Sequence, residues 1–148
     1  MIVLRNADAM LALGVAIGCE LTLGDVVTLS GPLGVGKTVL ARGILRSLGF
    51  AGDVPSPSFP LVISYDPPDV RLPLAHVDLY RIDDVDRIAE LALDEARAHG
   101  AIVIEWPERL GAMRWHDTLD LVFHVQADGA RALTAQVPPA WEQRWPPT

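Results

Sequence analysis

The most constraining feature of this 148-residue chain is a glycine-rich segment, GPLGVGKT at residues 31–38, between two runs of different character. The run before it, residues 26–30, is apolar and β-branched and predicts a buried strand. The run after it extends from Lys37 to about Leu48, has helical spacing and is closed by Gly49. The chain must therefore turn from a buried strand into a helix through a loop whose glycines allow a concave backbone.

The segment matches the pattern G-x-x-x-x-G-K-[ST], and each part of that pattern binds phosphate by its own physical means. The glycines let successive N–H groups converge into an anion nest, and the following helix adds the positive end of its dipole. Lys37 supplies a point charge for the β- and γ-phosphates, and the Thr38 hydroxyl ligates Mg²⁺. The pattern therefore predicts a nucleotide-binding P-loop with Mg²⁺ as the accompanying ion.

A magnesium ion also needs a protein carboxylate, which is expected at the end of a strand beside the loop. Glu105 ends the apolar run of residues 101–104, and Asp78 follows the run of residues 74–77. In open α/β sheets the ligand lies outside the carboxyl ends of the strands, so both acids can face the phosphates. The residues alone leave the choice between them open.

The charge balance excludes several classes of partner. Twelve Lys+Arg against nineteen Asp+Glu give a net charge of −7, the reverse of what a DNA-coating protein or a binder of anionic membranes needs. Lys37 is the one lysine among these basic residues, so a guanine-reading Asn-Lys-x-Asp element cannot be built. A single cysteine, Cys19, excludes an intrachain disulfide framework and favours a reducing, cytoplasmic compartment.

Residues 9–19 superficially resemble the apolar core of a signal peptide. Asp8 at the start of this stretch, and Ala16 where a lipobox usually has Leu, favour instead a first helix capped by Asn6. On that interpretation Cys19 is a small buried residue. No apolar run reaches the roughly 18 residues that cross a bilayer, so a membrane location is not expected.

Strand and helix patterns alternate along the chain and predict an α/β class. The helical patterns, besides the one after the loop, cover residues 6–20 and 83–99, and the strand patterns cover residues 1–4, 26–30, 61–65, 72–79, 101–105, 118–126 and 130–137. We predict a three-layer P-loop NTPase-like domain with a mixed central sheet and a C-terminal β-hairpin that turns at residues 127–129. Residues 1–137 are predicted to form this single domain, followed by a Pro/Trp-rich C-terminal tail at residues 138–148.

Five segments in order carry a family resemblance: GPLGVGKT at residues 31–38, Leu48-Gly49, SPSFPLV at 56–62, HVDLYR at 76–81 and IEWPERL at 104–110. Together they resemble the TsaE (YjeE) family, small bacterial ATPases required for threonylcarbamoyladenosine modification of tRNA. The resemblance implies ATP and Mg²⁺ as cofactors, with TsaD, which performs the transfer, and TsaB as partners. It implies that tRNA is involved only indirectly, in agreement with the acidic charge.

The resemblance also implies roles for individual residues. It implies Thr38 and Glu105 as Mg²⁺ ligands, Asp78 as support for hydrolysis, and Lys37, Asp78 and Glu105 as the catalytic set. The implied nucleotide contacts are Gly31, Leu33, Gly34, Val35, Gly36, Lys37, Thr38 and Val39 in the loop, Trp106 beside the nucleotide and Arg131 near the base. The chain departs from the family pattern at Val39, where a second Thr is usual, at Pro60, and at Met10, where the family has a nucleotide-contacting Thr.

The expected function is thus that of a weak Mg²⁺-dependent ATPase accessory to tRNA modification, slow because no arginine finger is evident. A small-molecule P-loop kinase stays open as an alternative, although residues 81–97 carry three arginines among six acids and make a poor phosphate lid. A nucleotide-gated adaptor that never hydrolyses its ligand is the other alternative.

Overall fold

A computed structural model describes residues 1–147 of the chain, and Thr148, the last residue of the predicted tail, lies outside the described residues. The strands are β1 (Ile2–Leu4), β2 (Val26–Ser30), β3 (Val62–Tyr65), β4 (Leu74–Asp78), β5 (Ala101–Glu105), β6 (Leu119–Val125) and β7 (Arg131–Gln136). The helices are α1 (Ala7–Glu20), α2 (Lys37–Ser47), α3 (Val85–Ala89) and α4 (Leu93–His99), with 3₁₀ segments at Pro107–Met113 and Pro139–Trp141.

Within residues 1–147 the strands form one mixed sheet in the order β1-β7-β6-β2-β5-β4-β3. β2 lies between β6 and β5 and is parallel to both, and β4 is parallel to β5. The outer pairs are antiparallel: β3 with β4, β6 with β7, and β7 with β1. The α/β class, the mixed sheet and the C-terminal hairpin are therefore confirmed.

Helices cover both faces of the sheet, because the central strands are apolar on both sides. Val27, Leu29 and Val103 pack with α1 and α2, whereas Ile102 and Ile104 pack with α3, α4 and the 3₁₀ segment Pro107–Met113. These two cores confirm the three-layer arrangement. None of the helices described between residues 1 and 147 has both the length and the apolar character to cross a membrane.

Helix α1 crosses α2 at two glycines that bring the helix backbones into contact. A Cβ atom on Gly14 would stand 3.0 Å from the Cα of Gly43 and closer still to the carbonyl oxygen of Leu40. A Cβ on Gly43 would collide in turn with the carbonyl oxygen of Leu11. The absence of both side chains therefore lets α1 hold α2 at close range, and α2 carries the phosphate-loop lysine at its first residue.

The predicted single helix over residues 83–99 is wrong, because the chain breaks between α3 and α4. Ala92 adopts φ 54°, ψ 46° at the break. In one continuous helix Ile88 and Leu93 would point about 140° apart, since each residue turns the helix by about 100°. Both side chains are buried in the same core, at 1% and 6% exposure, and the break allows this.

The first helix is capped as predicted, since the Asn6 side chain accepts a hydrogen bond from the Ala9 amide at 2.8 Å. The interpretation of Cys19 as a buried residue is wrong, because its side chain is exposed. Ile17 and Gly18 occupy the buried face of α1 at this level, which leaves Cys19 on the solvent side.

The segment after β7 packs onto the α1–α2 side of the molecule. Trp141 is 1% exposed and belongs to that core. The Arg144 guanidinium lies 3.9 Å from the centre of the Trp141 ring and forms an ion pair of 2.6 Å with Asp25. This ion pair connects the end of the described chain to the turn before β2.

Candidate nucleotide-binding site

Sheet topology brings three strand ends together at one edge. β2, β5 and β4 are adjacent and parallel, so the loop after β2 and the last residues of the other two strands share that edge. The register pairs Glu105 with Leu29 on one side and with Asp78 on the other. Glu105 therefore stands between the strand that leads into the loop and the strand that carries Asp78.

The loop has a backbone that only glycine adopts readily. Gly34 and Gly36 have φ 76° and 113°, in the left-handed region where a side chain is strained. Gly36 is also the N-cap of α2, and it offers no side chain to bond the first amides of the helix. Those amides stay available to an anion at the positive end of the helix dipole.

Lys37 lies under the loop and is only 5% exposed. Its Nζ donates a 2.7 Å hydrogen bond to the Gly31 carbonyl and lies 3.8 Å from the centre of the Trp106 ring. Burial lowers the pKa of Lys37 below its ordinary value of 10.5, while the negative charges of Glu105, Glu108 and Asp78 act in the opposite direction. The ammonium group is thus held between the loop and the Trp106 ring, in the field of nearby carboxylates.

Trp106 directly follows Glu105 and has φ 61°, ψ 52°, which is unusual for a residue with a large side chain. This conformation ends β5 and turns the indole over Lys37. The Tyr80 ring packs against the indole with ring centres 4.8 Å apart. Backbone strain of this kind costs about 1–3 kcal/mol and is typical of functional sites.

Glu105 is 3% exposed and has two polar neighbours on one carboxylate oxygen. Its Oε2 lies 2.7 Å from His76 Nε2 and 3.4 Å from Thr38 Oγ1. The structure therefore joins the first turn of α2 to the end of β5 through a carboxylate. A hydroxyl and a carboxylate in this relation are ligands that suit Mg²⁺ beside phosphate.

Asp78 is held from both sides at the end of β4. Its Oδ1 accepts a 2.8 Å hydrogen bond from the Tyr80 amide, and its Oδ2 accepts one of 3.2 Å from the Ser58 hydroxyl. Ser58 Oγ lies 2.8 Å from Ser56 Oγ. The loop before β3 thus approaches the strand end and orients this second carboxylate.

A cleft of about 330 Å³ contains most of the predicted site. It is lined by Leu33, Gly34, Gly36, Lys37, Thr38, Val39, Ser56, Ser58, Asp78, Glu105 and Trp106. Of the other predicted loop residues, Gly31 gives its carbonyl to Lys37, and Val35 is 2% exposed within the core. The carboxylates, the lysine and the hydroxyl predicted from separate segments therefore meet in one place.

Arg131 lies on the other side of the loop and bonds its backbone. Its guanidinium donates to the Val35 carbonyl at 3.2 Å, to the Gly129 carbonyl at 2.7 Å and to the Gly34 carbonyl at 3.5 Å. Arg131 also lines a second pocket, of about 330 Å³, with Met10, Asn6 and the loop. The hairpin arginine is therefore placed to bond two carbonyls of the phosphate loop while it borders that pocket.

Sequence reasoning assigned no site role to Ser56 or Ser58, although the segment SPSFPLV that contains both contributes to the family resemblance. It also missed the pocket role of Asn6, which it assigned only to the helix cap. The bond between His76 and Glu105 joins residues 29 positions apart and has no local signal, since His76 lies within one predicted strand and Glu105 ends another.

Comparisons with known proteins, by sequence and by structure, point to one family. A family model described as "Threonylcarbamoyl adenosine biosynthesis protein TsaE" matches residues 4–133. The tRNA threonylcarbamoyladenosine biosynthesis protein TsaE of Mycobacterium tuberculosis H37Rv is 41% identical over 114 residues, which is 72% of this chain and 68% of that protein. The protein of the same name from Treponema pallidum is 34% identical over 131 residues, or 88% of this chain and 95% of that protein.

The fold of a solved relative is also similar. The crystal structure of Bacillus subtilis YdiB superposes with a TM-score of 0.81 at 27% sequence identity, and the match covers 96% of this chain and 87% of that one. The resemblance inferred from five short segments is therefore confirmed along most of the chain. On the sequence match and the shared architecture together, this chain belongs to the TsaE family of tRNA threonylcarbamoyladenosine biosynthesis proteins.

Proposed function

We propose that this chain binds ATP with Mg²⁺, hydrolyses it slowly, and thereby serves the TsaD–TsaB complex in threonylcarbamoyladenosine modification of tRNA. The observation that carries the proposal is the convergence of Lys37, Thr38, Asp78 and Glu105 in one cleft at the end of a P-loop. The cleft offers main-chain amides and one ammonium group to phosphate, and a hydroxyl with two carboxylates to a cation. This donor set fits a magnesium nucleotide.

The loop and Lys37 would bind the phosphates. The unbonded first amides of α2 and the glycine-rich backbone provide fixed donors that need no rearrangement. Lys37 Nζ lies within the cleft lining, beside the Gly31 carbonyl. A substrate phosphate would therefore meet a positive charge that is buried and oriented, in a chain whose net charge is −7.

Thr38 and Glu105 would hold the metal, which when bound neutralises charge on the phosphate oxygens. Mg²⁺ in proteins commonly has one or two carboxylate ligands and keeps several waters, so this small donor set is sufficient. Thr38 Oγ1 and Glu105 Oε2 are already neighbours at 3.4 Å. Within the described residues no group of three or more His, Cys, Asp or Glu forms a metal site by itself.

Asp78 would orient the attacking water. Its two oxygens are fixed by Tyr80 and Ser58, and it borders the same cleft as Glu105. A carboxylate held in this way can accept a hydrogen bond from water and direct its lone pair toward the γ-phosphate. The ring of Trp106, over Lys37, would shield this side of the cleft from solvent.

The base would lie in the second pocket, across the loop from the metal site. Gly34, Gly36 and Val39 line both the cleft and this pocket, so one ligand can extend from one to the other. Met10 contributes an apolar wall and Arg131 a polar edge. Met10 thus offers packing where the family pattern has a hydroxyl.

We expect slow turnover because Lys37 is the single basic side chain in the described lining of the cleft. No arginine is found among the cleft-lining residues in the part of the chain that the structure describes. An arginine finger contributes about 10³–10⁵-fold to hydrolysis in related P-loop enzymes. We expect TsaD–TsaB to supply or induce such a group, and exposed Phe59 with Arg81 stacked at 4.5 Å offers a contact surface next to Ser58 and Tyr80.

We further propose that the protein is cytoplasmic, has no direct role with DNA or membranes, and contacts tRNA only through the partner complex. The acidic balance supports these points, since polyanion binding requires clustered positive charge. The domain is proposed to span residues 1–137, with residues 138–148 as a C-terminal tail packed on it through Trp141.

The test combines calorimetric ATP binding with phosphate release, each with and without purified TsaD and TsaB. Lys37→Ala is expected to lose nucleotide binding, whereas Asp78→Asn should bind ATP and release phosphate at least about 10²-fold more slowly. Glu142→Gln, at an exposed position, is the matched control and should behave as the unchanged protein. Wild-type ATP affinity in Lys37→Ala would contradict the assignment of the site.

The same assays separate the two alternatives. A small-molecule kinase would transfer labelled phosphate to a metabolite rather than to water. A nucleotide-gated adaptor would bind its partner only with ATP and release no phosphate under any condition. Stimulated phosphate release in the presence of the partners would support the proposed ATPase over both.

A further inference from the structure

His76 is a fully buried polar residue that the proposed chemistry does not use. It is 0% exposed and lies two residues before Asp78, so its side chain is on the same face of the sheet as Asp78 and Glu105. Leu74 and Val103, also on that face, belong to the core beneath α1 and α2. The imidazole therefore stands between an apolar layer and the site.

The His76 side chain forms a hydrogen bond with Glu105 through one of its two ring nitrogens. An ionised carboxylate can only accept, so His76 Nε2 is the donor in its 2.7 Å contact with Glu105 Oε2. His76 Nδ1 is buried and has no hydrogen-bond partner within residues 1–147. A buried polar atom without a partner is destabilising, and an apolar side chain would avoid it. Packing alone thus does not explain a histidine at this position, whereas its bond to Glu105 does.

We propose that His76 is a positioning residue that holds Glu105 ready for the metal, an inference that rests on the proposed function. The bond from Nε2 fixes Oε2 beside Thr38 and leaves Oε1 as the oxygen free to turn toward a cation. Without that bond the glutamate side chain can adopt other rotamers, and a flexible ligand binds metal less tightly. The role concerns geometry and requires no proton transfer by His76.

The experiment compares His76→Leu, His76→Gln and His76→Asn, with His124→Leu at an exposed strand position as the matched control. The Gln amide can place a donor near the position of Nε2, whereas the Asn amide is one methylene too short. Two quantities are measured: Mn²⁺ binding to the protein–ADP complex by electron paramagnetic resonance, and the Mg²⁺ dependence of phosphate release. ATP binding without metal is measured by calorimetry.

We expect metal affinity to fall about 10–100-fold in His76→Leu and His76→Asn, as for other residues that orient a metal ligand. His76→Gln should recover most of that loss, and all three variants should keep metal-free ATP affinity within about threefold of wild type. His124→Leu should match wild type in every measurement. If His76→Leu fails to fold, the Gln–Asn comparison carries the test, because both variants are polar and of similar size.

Equal metal affinity in the Gln and Asn variants, or wild-type metal affinity in a folded His76→Leu, would overturn the positioning role. Glu105→Gln separates this outcome from failure of the proposed function. If Glu105→Gln still binds Mn²⁺ as wild type, the metal assignment itself is wrong. If Glu105→Gln loses Mn²⁺ while His76→Leu retains it, the metal assignment stands and the inference about His76 fails.

Discussion

Replacement of Gly14 by alanine sets two physical effects against each other. In the interior of an exposed helix, a Gly→Ala substitution raises the free energy of unfolding by about 1 kcal/mol, because alanine restricts the conformations of the unfolded chain. In α1, however, the new Cβ would stand 3.0 Å from the Cα of Gly43 and nearer still to the Leu40 carbonyl. Carbon atoms in comfortable contact are about 3.5–4.0 Å apart, so α1 and α2 would have to separate.

The net effect follows from these magnitudes. Overpacking costs about 1–3 kcal/mol, and the upper end applies here because the obstacles are backbone atoms that cannot rotate away. After subtraction of the propensity gain, we expect Gly14→Ala to lower the free energy of unfolding by about 2 kcal/mol. For a chain of this size that corresponds to a fall in Tm of about 4–8 °C.

The assay is thermal and urea unfolding of Gly14→Ala alongside Ala12→Gly. Ala12 is exposed on the same helix, so its change measures the propensity effect alone. Because α2 begins at Lys37, separation of the helices should also weaken nucleotide binding in Gly14→Ala. A Tm equal to or above that of wild type would refute the account of the helix crossing.

Three further predictions concern other contacts. Arg131→Gln, which removes the hydrogen bonds to the Val35 and Gly34 carbonyls of the loop, should weaken nucleotide binding about tenfold by calorimetry, whereas exposed Arg46→Gln should not; equal affinities would contradict the loop-holding role. Because burial lowers the pKa of Lys37 below 10.5, its ammonium group loses its charge at a lower pH than that of an exposed lysine, so metal-free nucleotide affinity should fall as the pH is raised toward 10.5; a constant affinity over that rise would speak against this. Trp141→Ala should lower the free energy of unfolding in urea by about 3–5 kcal/mol, a larger loss than that caused by Trp145→Ala, because Trp145 is only half-buried. Equal losses in the two variants would argue against a special anchoring role for Trp141.

Local patterns were sufficient to predict the parts of the site that lie within one stretch of chain. The P-loop lies between an apolar strand and a helix, and each carboxylate ends an apolar run. Glu105 and Asp78 could therefore be predicted as site residues from the sequence. Their meeting at one edge follows from the general placement of ligands in α/β sheets. For this reason most of the predicted residues line one cleft.

Contacts between distant segments could not be predicted in the same way. Arg131 and the Val35 carbonyl are 96 residues apart, and only the position of β7 in the sheet brings them together. The break at Ala92 has neither Gly nor Pro to mark it, because it is imposed by the burial of two side chains in one core. Cys19 was misplaced because small residues fit on either face of a helix, and here Gly14 and Gly18 occupy the contact side.

The in-register pairing of Asp78 with Glu105 determines where this chain can tolerate changes in length. Residues of a strand alternate between faces, so deletion of one residue within β4 or β5 would turn an acid toward the apolar layer under α3 and α4. The part of the crossover after Tyr80, residues 81–100, has no such register constraint, since added residues there leave both strands in place. Insertions in this part of the crossover should therefore be compatible with an intact acidic pair, whereas a single deletion in either strand should not.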